Sequence, residues 1–378
     1  MFYSMYTVVV AAGAARFGGA LTMYNQFVGH LKNHEGENKY YIFVHSTMPR
    51  PEINGVEYIE IDVTTSLKRM KFDYWGCANY LKEHHIAADL IFSFENTGVK
   101  VKGLPLLILY QQGLPFYPMK WNPFKTSERS LFFYTYIYHI FVKLSLFQDS
   151  KVIVHTPYLR DRFSKLYHFD KNRIYDMLPD VEKINVESCV AYEFDNNCYN
   201  FLYPSSNVKY KEHNTLIRAL AEMKKKKWDL QKKIRVHLSL KKEANQKLLK
   251  KMEAEGVLEN FVFEGFIPRD QLLAMYKSCT GLLFPSTIES VTLPLWEAVT
   301  FRKPVVCQDL DFARYQLEGY DGVKFIEVGN YGKWCDAIIE TCLSNKELTP
   351  YTPAKGNSWE DLFDWIENSI IDYKKVNN

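Results

Sequence analysis

No two cysteines in this chain are spaced Cys-x-x-Cys, and the seven present (Cys77, Cys189, Cys198, Cys279, Cys307, Cys335, Cys342) are odd in number and scattered. That argues against a disulfide framework and a zinc site, and suits a reducing cytoplasm. An excess of one charge is missing too: 47 Lys and Arg face 44 Asp and Glu, a net +3. Nucleic acid is therefore not an expected partner. No apolar run reaches the roughly 20 residues that a helical membrane span needs. No basic region precedes an apolar stretch at the N-terminus, so Val8–Ala15 reads as a first buried strand rather than a secretory signal. Gly13 opens Gly-x4-Gly, but Gly19-Ala20 follow where a P-loop needs Lys and Ser or Thr. The triple-Gly dinucleotide spacing is absent, and Val44-His45 ends the second strand without an acid for a ribose. His84-His85 and His155 have no Cys or carboxylate at ligand spacing, so no metal is expected. Asp309-Leu310-Asp311 has the spacing of a cation motif but reads first as a turn capping the next helix.

At 378 residues, with 47% hydrophobic and 24% charged residues, the chain is expected to form a soluble globular protein of two domains. Its first half alternates apolar strands (6–12, 40–45, 90–94, 106–111, 151–155) with helical patterns (22–32, 66–83, 126–147, 157–165). The alternation restarts after the polar patch 193–200. Strands follow at 200–203, 234–240, 261–264, 281–284, 304–308 and 322–326, with helices between them. Strands separated by helices imply parallel β-α-β units. The expected fold is α/β, two tandem doubly wound Rossmann-like domains facing across a cleft. The domains are placed at 1–193 and 194–357, with a C-terminal helix (358–378) packing back on the first. In such sheets ligands bind at the carboxyl ends of the strands.

One such end is Pro285-Ser286-Thr287-Ile288-Glu289-Ser290-Val291-Thr292-Leu293-Pro294-Leu295-Trp296-Glu297. The apolar run 281–284 reads as a strand end, and Pro294 suits the first turn of a helix. Two carboxylates thus flank a helix N-terminus, whose unpaired N–H groups suit a phosphate. A nucleotide sugar is a ligand of that kind. After the strand 200–203 comes a polar loop holding Ser206, Lys209 and Lys211, and the next helix starts at His213. A lysine at that turn either neutralises a phosphate or faces solvent. Gly18 and Gly19, after the first strand, allow close backbone approach to a ligand, and also suit a plain tight turn. His155 ends a strand on the same edge. The segment 131–147 (LFFYTYIYHIFVKLSLF) leaves three readings open: a core helix, an aromatic amphipathic helix on a lipid surface, or a span.

Glu289 to Glu297 matches the Glu-x7-Glu motif of retaining GT-B glycosyltransferases, and FPSTIESVTLPLWEAVTFRKPVVCQDL resembles glycosyltransferase family 4. Phe261–Pro268 resembles that family's strand and Gly turn beside the nucleobase. Tyr203–His213 resembles the phosphate-binding loop of a bacterial surface polysaccharide subgroup, and Gly18-Gly19 an acceptor-side glycine loop. The resemblance implies that Glu289 supports the donor sugar, Lys211 binds the diphosphate and Glu297 holds the ribose. Ser206, Ser290, Val291, Thr292 and Leu293 would surround the phosphates, Gly265 and Phe266 the base, and Gly19 the phosphate or sugar. Gly18, Gln112 and His155 are acceptor-side candidates. The chain departs from the family where Ser205-Ser206 replace Gly-Arg and Thr292 replaces a Gly, so Lys211 carries more of the diphosphate charge, or Lys209 or Arg269 helps.

The implied activity is a metal-independent, hexosyltransferase-type retaining transfer, without cofactor, from a UDP- or GDP-sugar. The acceptor would be a lipid-linked or oligosaccharide glycan in O-antigen, lipopolysaccharide, capsule or exopolysaccharide synthesis. The expected location is the cytoplasm, peripheral on the inner membrane face through 131–147. Alternatives are a non-catalytic nucleotide-sugar-binding subunit and another GT-B enzyme such as an epimerase.

Overall fold

The computed structural model describes residues 5–117, 119–147, 149–180, 183–226, 229–352 and 356–377. The chain divides into two compact units, Met1–Asp180 with Lys355–Asn378, and Val181–Ala354.

Unit 1 holds β1 (Thr7–Ala11), β2 (Lys39–Val44), β3 (Val56–Glu60), β4 (Leu90–Ser93), β5 (Leu106–Leu109), β6 (Ser150–Val154) and β7 (Ile174–Asp176). All pair in parallel, in the order β3-β2-β1-β4-β5-β6-β7. The connecting helices are α1 (Gly18–Leu31), α2 (Ser66–Lys71), α3 (Cys77–Glu83), α4 (Arg129–Phe132), α5 (Tyr138–Leu144) and α6 (Pro157–Tyr167). Side chains alternate across a strand. Along β1, Val8 and Val10 therefore join one core with Phe27 of α1, while Val9 and Ala11 join the other with Cys77 and Leu81 of α3. Both faces being covered explains why these strands read as continuous apolar runs.

Unit 2 repeats the plan. Its strands are β8 (Tyr199–Tyr203), β9 (Ile234–Leu238), β10 (Phe261–Phe263), β11 (Gly281–Phe284), β12 (Val305–Gln308) and β13 (Val323–Ile326). They are parallel, in the order β10-β9-β8-β11-β12-β13. Its helices are α7 (His213–Lys225), α8 (Gln246–Ala254), α9 (Arg269–Ser278), α10 (Leu293–Thr300), α11 (Asp311–Leu317) and α12 (Tyr331–Leu343). In each sheet the winding reverses beside its first strand, between β1 and β4 and between β8 and β11. Such reversals open the crevices where ligands of doubly wound sheets bind.

The last helix, α13 (Trp359–Asn377), belongs to unit 1. Ser358 and Asp361 cap it reciprocally: the Ser358 N–H donates to Asp361 Oδ2 (2.7 Å), and the Asp361 N–H to Ser358 Oγ (3.3 Å). Trp359 and Phe363 then pack on the Phe27 ring of α1, at centroid distances of 6.0 and 5.8 Å.

The boundary between units lies earlier than residue 193. The stretch before β8 is fastened to unit 2: the Tyr192 N–H donates to Ser278 Oγ (2.8 Å), Lys277 donates to the Cys189 carbonyl (2.5 Å), and Phe194 packs against His237 (4.7 Å). The short edge strands β3 and β7 are additions to the sequence-based expectation, and α11 is the helix that the Asp309–Asp311 turn is expected to precede. Asp309 is bonded to Arg314 through Nε and, at 2.9 Å, through its terminal nitrogen. Leu310 holds the α11 cap position, without a side-chain cap bond. The expected helices over 66–83 and 126–147 are each interrupted by one π turn, at Phe72–Gly76 and Phe133–Ile137. The second of them buries Leu131, Tyr138 and Val142 on one side and exposes Ile137, Ile140, Phe141 and Leu144 on the other. Among the described residues no helix is long and apolar enough to cross a membrane.

Candidate donor site at the reversal of the second sheet

The turns after β8 and β11 are neighbours because those strands are. Two bonds from Thr287 fasten them: its N–H (2.9 Å) and its hydroxyl (3.1 Å) both donate to the Tyr210 carbonyl. Tyr203, buried at the end of β8, donates its hydroxyl to the carbonyl of Lys211. Glu212 closes the loop in the left-handed region (φ 49°, ψ 42°), a strained conformation for a residue with a side chain. These bonds fix Lys211 so that its ammonium pairs with the Glu289 carboxylate. The same ammonium lies 5.6 Å from the Tyr210 ring centre and 5.9 Å from that of Phe284. Both side chains keep little solvent contact, 16% for Lys211 and 12% for Glu289. His213, behind them, accepts from or donates to Ser205 Oγ at 3.2 Å. Burial, helped by the Lys211 charge, pushes its imidazole down to about 4.

A second ion pair joins the turn after β10 to α10. Arg269, in the first turn of α9, pairs with Glu297, one turn into α10 and buried. Tyr276 sits beside Glu297, and burial followed by that charge raises its phenol well above the usual range. Gly265 has φ +73°, which favours glycine, and its N–H donates to the Leu240 carbonyl (3.0 Å). The next residue, Phe266, leaves 84% of its surface exposed.

The start of α10 differs from expectation in one respect. The Thr292 N–H is already taken by Gln316 Oε1 (3.2 Å), and Gln316 Nε2 returns a bond to the Thr292 carbonyl (3.2 Å). The Thr292 hydroxyl is buried and has no hydrogen-bond partner among the described residues. Thr292 is thus a clamped backbone position, and Val291 and Leu293 flank it at the surface. Ser290 is half-buried and Ser206 exposed.

In unit 1 the reversal point holds Gly18 and Gly19. Gly18 has φ +55°, with no atom within 4 Å of where a side chain would begin; at Gly19 the neighbour is Gln111 Oε1, 4.0 Å away. Gln112 instead bonds within its own turn, accepting from the Leu114 N–H (3.2 Å). His155 is buried and bonds the Met177 carbonyl (3.4 Å), and burial pushes it down to about 4. No contact among the described residues brings Gln112 or His155 to the glycines. A residue the sequence reasoning passed over does reach that loop: Glu95, just after β4, accepts the Ala14 N–H (2.9 Å). Its position at a strand's carboxyl end was the available signal.

The parallel sheets, the winding order and the polar turns at their carboxyl ends define the class as GT-B, two Rossmann-like domains. Residues 191–350, within unit 2, match the sequence model of the family Glycosyl transferases group 1. Solved structures share the fold at low identity. WaaG, a glycosyltransferase involved in lipopolysaccharide biosynthesis, is 16% identical, with a TM-score of 0.62 over 89% of this chain and 90% of its own. A glycosyltransferase from Rickettsia africae is 13% identical, with a TM-score of 0.62 over 98% and 94%. HepE from Anabaena, in complex with UDP and glucose, is 15% identical, with a TM-score of 0.54 over 90% of each chain. No curated protein matches the chain.

Proposed function

We infer that the chain is a glycosyltransferase that takes a sugar from a nucleoside diphosphate donor bound at the reversal point of unit 2. The observation that carries this is the Lys211–Glu289 pair, set beside the start of α10, with Glu297 a turn further on. The match of residues 191–350 to a glycosyltransferase family and the UDP and glucose held by a protein of the same fold support it.

In this reading each carboxylate has a companion cation that the donor displaces or shares. The diphosphate draws Lys211 from Glu289, assisted by the N–H groups of Val291 and Leu293 at the helix start, where a phosphate is favoured. Glu289 is then released towards the sugar. Glu297 accepts from the ribose hydroxyls, while Arg269 balances its charge. Gly265 and Phe266 border the base. Lys211 and the helix N-terminus stabilise the leaving diphosphate, the group whose charge grows in the transition state. With Glu297 occupied, no second carboxylate remains for double displacement. Retention then follows from front-face attack, the departing phosphate taking the acceptor's proton. The acceptor is a glycan, lipid-linked in this reading, and the exposed side of 131–147 meets the cytoplasmic membrane face.

The Glu289→Gln variant tests this. Transfer to a lipid-linked glycan acceptor should fall about 10²–10³-fold, the loss typical when one charge-stabilising group is removed, with donor affinity little changed. Equal transfer by the variant contradicts the reading. Donor binding without transfer by the native chain would favour a non-catalytic binding subunit.

A further inference from the structure

Two helical segments of unit 1 carry the same irregularity. Phe72–Gly76, between α2 and α3, and Phe133–Ile137, between α4 and α5, each form a single π turn. Such turns replace the α-helical hydrogen bonds with a wider i→i+5 pattern and are frequent at functional sites. Here both line one cavity of about 380 Å³, within the roughly 300–1,000 Å³ usual for small-molecule pockets. Its walls are Leu67, Met70, Tyr74, Phe133, Tyr134 and Phe141, several of them exposed at the mouth.

The floor is ionic. Glu95, fully buried, pairs with Arg69 Nε at 2.8 Å. The Arg69 guanidinium also donates to Thr97 Oγ1 (2.7 Å) and Tyr138 Oη (3.3 Å). Asp73 is left with a remnant of that cation: its Oδ2 is 3.6 Å from Arg69 Nε, too far for a hydrogen bond. Asp73 is only 6% exposed and lines the cavity, yet its Oδ1 has no hydrogen-bond partner among the described residues. Of the lysines nearby on the surface, Lys68 pairs with Asp62 and Lys100 lies over the Tyr74 ring at 5.9 Å. Two buried carboxylates thus share one guanidinium, and a buried charge without a partner is costly. The site's own response is visible at Asp73: burial, then the Glu95 charge, push its carboxyl well above the usual range.

We propose that this cavity binds an organic ammonium compound with an apolar body, the ammonium on Asp73 and the body among the aromatic walls. One positive charge is what Arg69, Glu95 and Asp73 lack to be neutral with both acids ionised. Tyr74, Phe133 and Tyr134 offer the ring faces on which a desolvated ammonium is stabilised. The site lies in unit 1 and is separate from the sugar-donor reading.

Calorimetric titration of the full chain near pH 8 with phenylbutylammonium, phenylbutanol and phenylbutanoate tests this, the three probes sharing one apolar body. The ammonium should bind at least tenfold more tightly than the other two. Asp73→Asn, which keeps the shape and removes the charge, should weaken it tenfold or more without lowering the melting temperature. Tyr134→Ala, at a half-exposed wall position, should weaken it several-fold. Equal affinity for the three probes, no binding of the ammonium, or unchanged binding by Asp73→Asn overturns the proposal.

Discussion

At Lys211, Glu289, Arg269 and Glu297, each acid of the Glu-x7-Glu motif is matched to a base from a different turn. The two acids are legible in the sequence because an apolar strand, a short loop and a Pro-started helix give them a position on one strand edge. Their cations are less so. Lys211 lies 78 residues from Glu289, and Arg269 lies 28 from Glu297, so each pairing depends on the strand order that the sheet imposes. The same holds for Glu95, 81 residues from the Ala14 N–H it accepts. Gln111 and Gln112 show the limit of residue placement: one position along a loop decides which side chain turns to Gly19. His155 and His213 carry a prediction. Each is held near 4, against 6.5 for an ordinary imidazole. A lowered folded value means the unfolded chain takes up the proton first, so the stability from keeping them neutral is complete above about pH 6.5 and is lost as pH falls towards 4. The loss is up to roughly 3 kcal/mol for each. Asp73, with a raised carboxyl, works in the opposite direction, so the comparison should be between chains. Denaturant midpoints between pH 7 and 4.5 should fall more in the native chain than in the His155→Gln, His213→Gln double variant; parallel curves would contradict this.

At the scale of elements, every strand of unit 2 is legible because each is a short, mostly apolar run bounded by polar or Gly and Pro turns. The edge strands β3 (VEYIE) and β7 (IYD) are harder to read because acidic residues interrupt them, whereas β10 (FVF), as short as β7, is wholly apolar. The π turns were also hidden, because one inserted residue leaves the apolar periodicity of a long helix nearly intact. The start of α10 depends on α11, a helix that the sequence marks only by the Asp309–Asp311 turn ahead of it: Gln316 of that helix clamps both backbone polar groups of Thr292. Gln316→Ala should leave those groups unpaired and cost roughly 1–3 kcal/mol, with weaker donor binding. Denaturant titration and donor calorimetry check both, and unchanged values in both would show that the clamp has no role. For 131–147, the exposed aromatic side predicts binding to anionic vesicles. A Phe133→Ser, Tyr136→Ser, Phe141→Ser variant should lose it in a sedimentation assay. Native chain that stays in the supernatant rules out the membrane contact.

At the scale of the molecule, two units of the same winding each place their polar turns at one sheet edge, and each has its own core. The tail helix α13 completes the first core rather than extending the second, joining residues more than 300 positions apart around Phe27. The central claim concerns unit 2: its reversal point is a nucleotide-sugar site in which Lys211 meets the diphosphate. Thermal unfolding of the full chain in a panel of UDP- and GDP-sugars, native beside Lys211→Ala, tests it most directly, since a ligand that binds only the folded state raises the melting temperature. The account predicts that at least one nucleotide sugar raises the native melting temperature and that the variant loses most of that shift; no shift with any of them, or an equal shift in both chains, would contradict it.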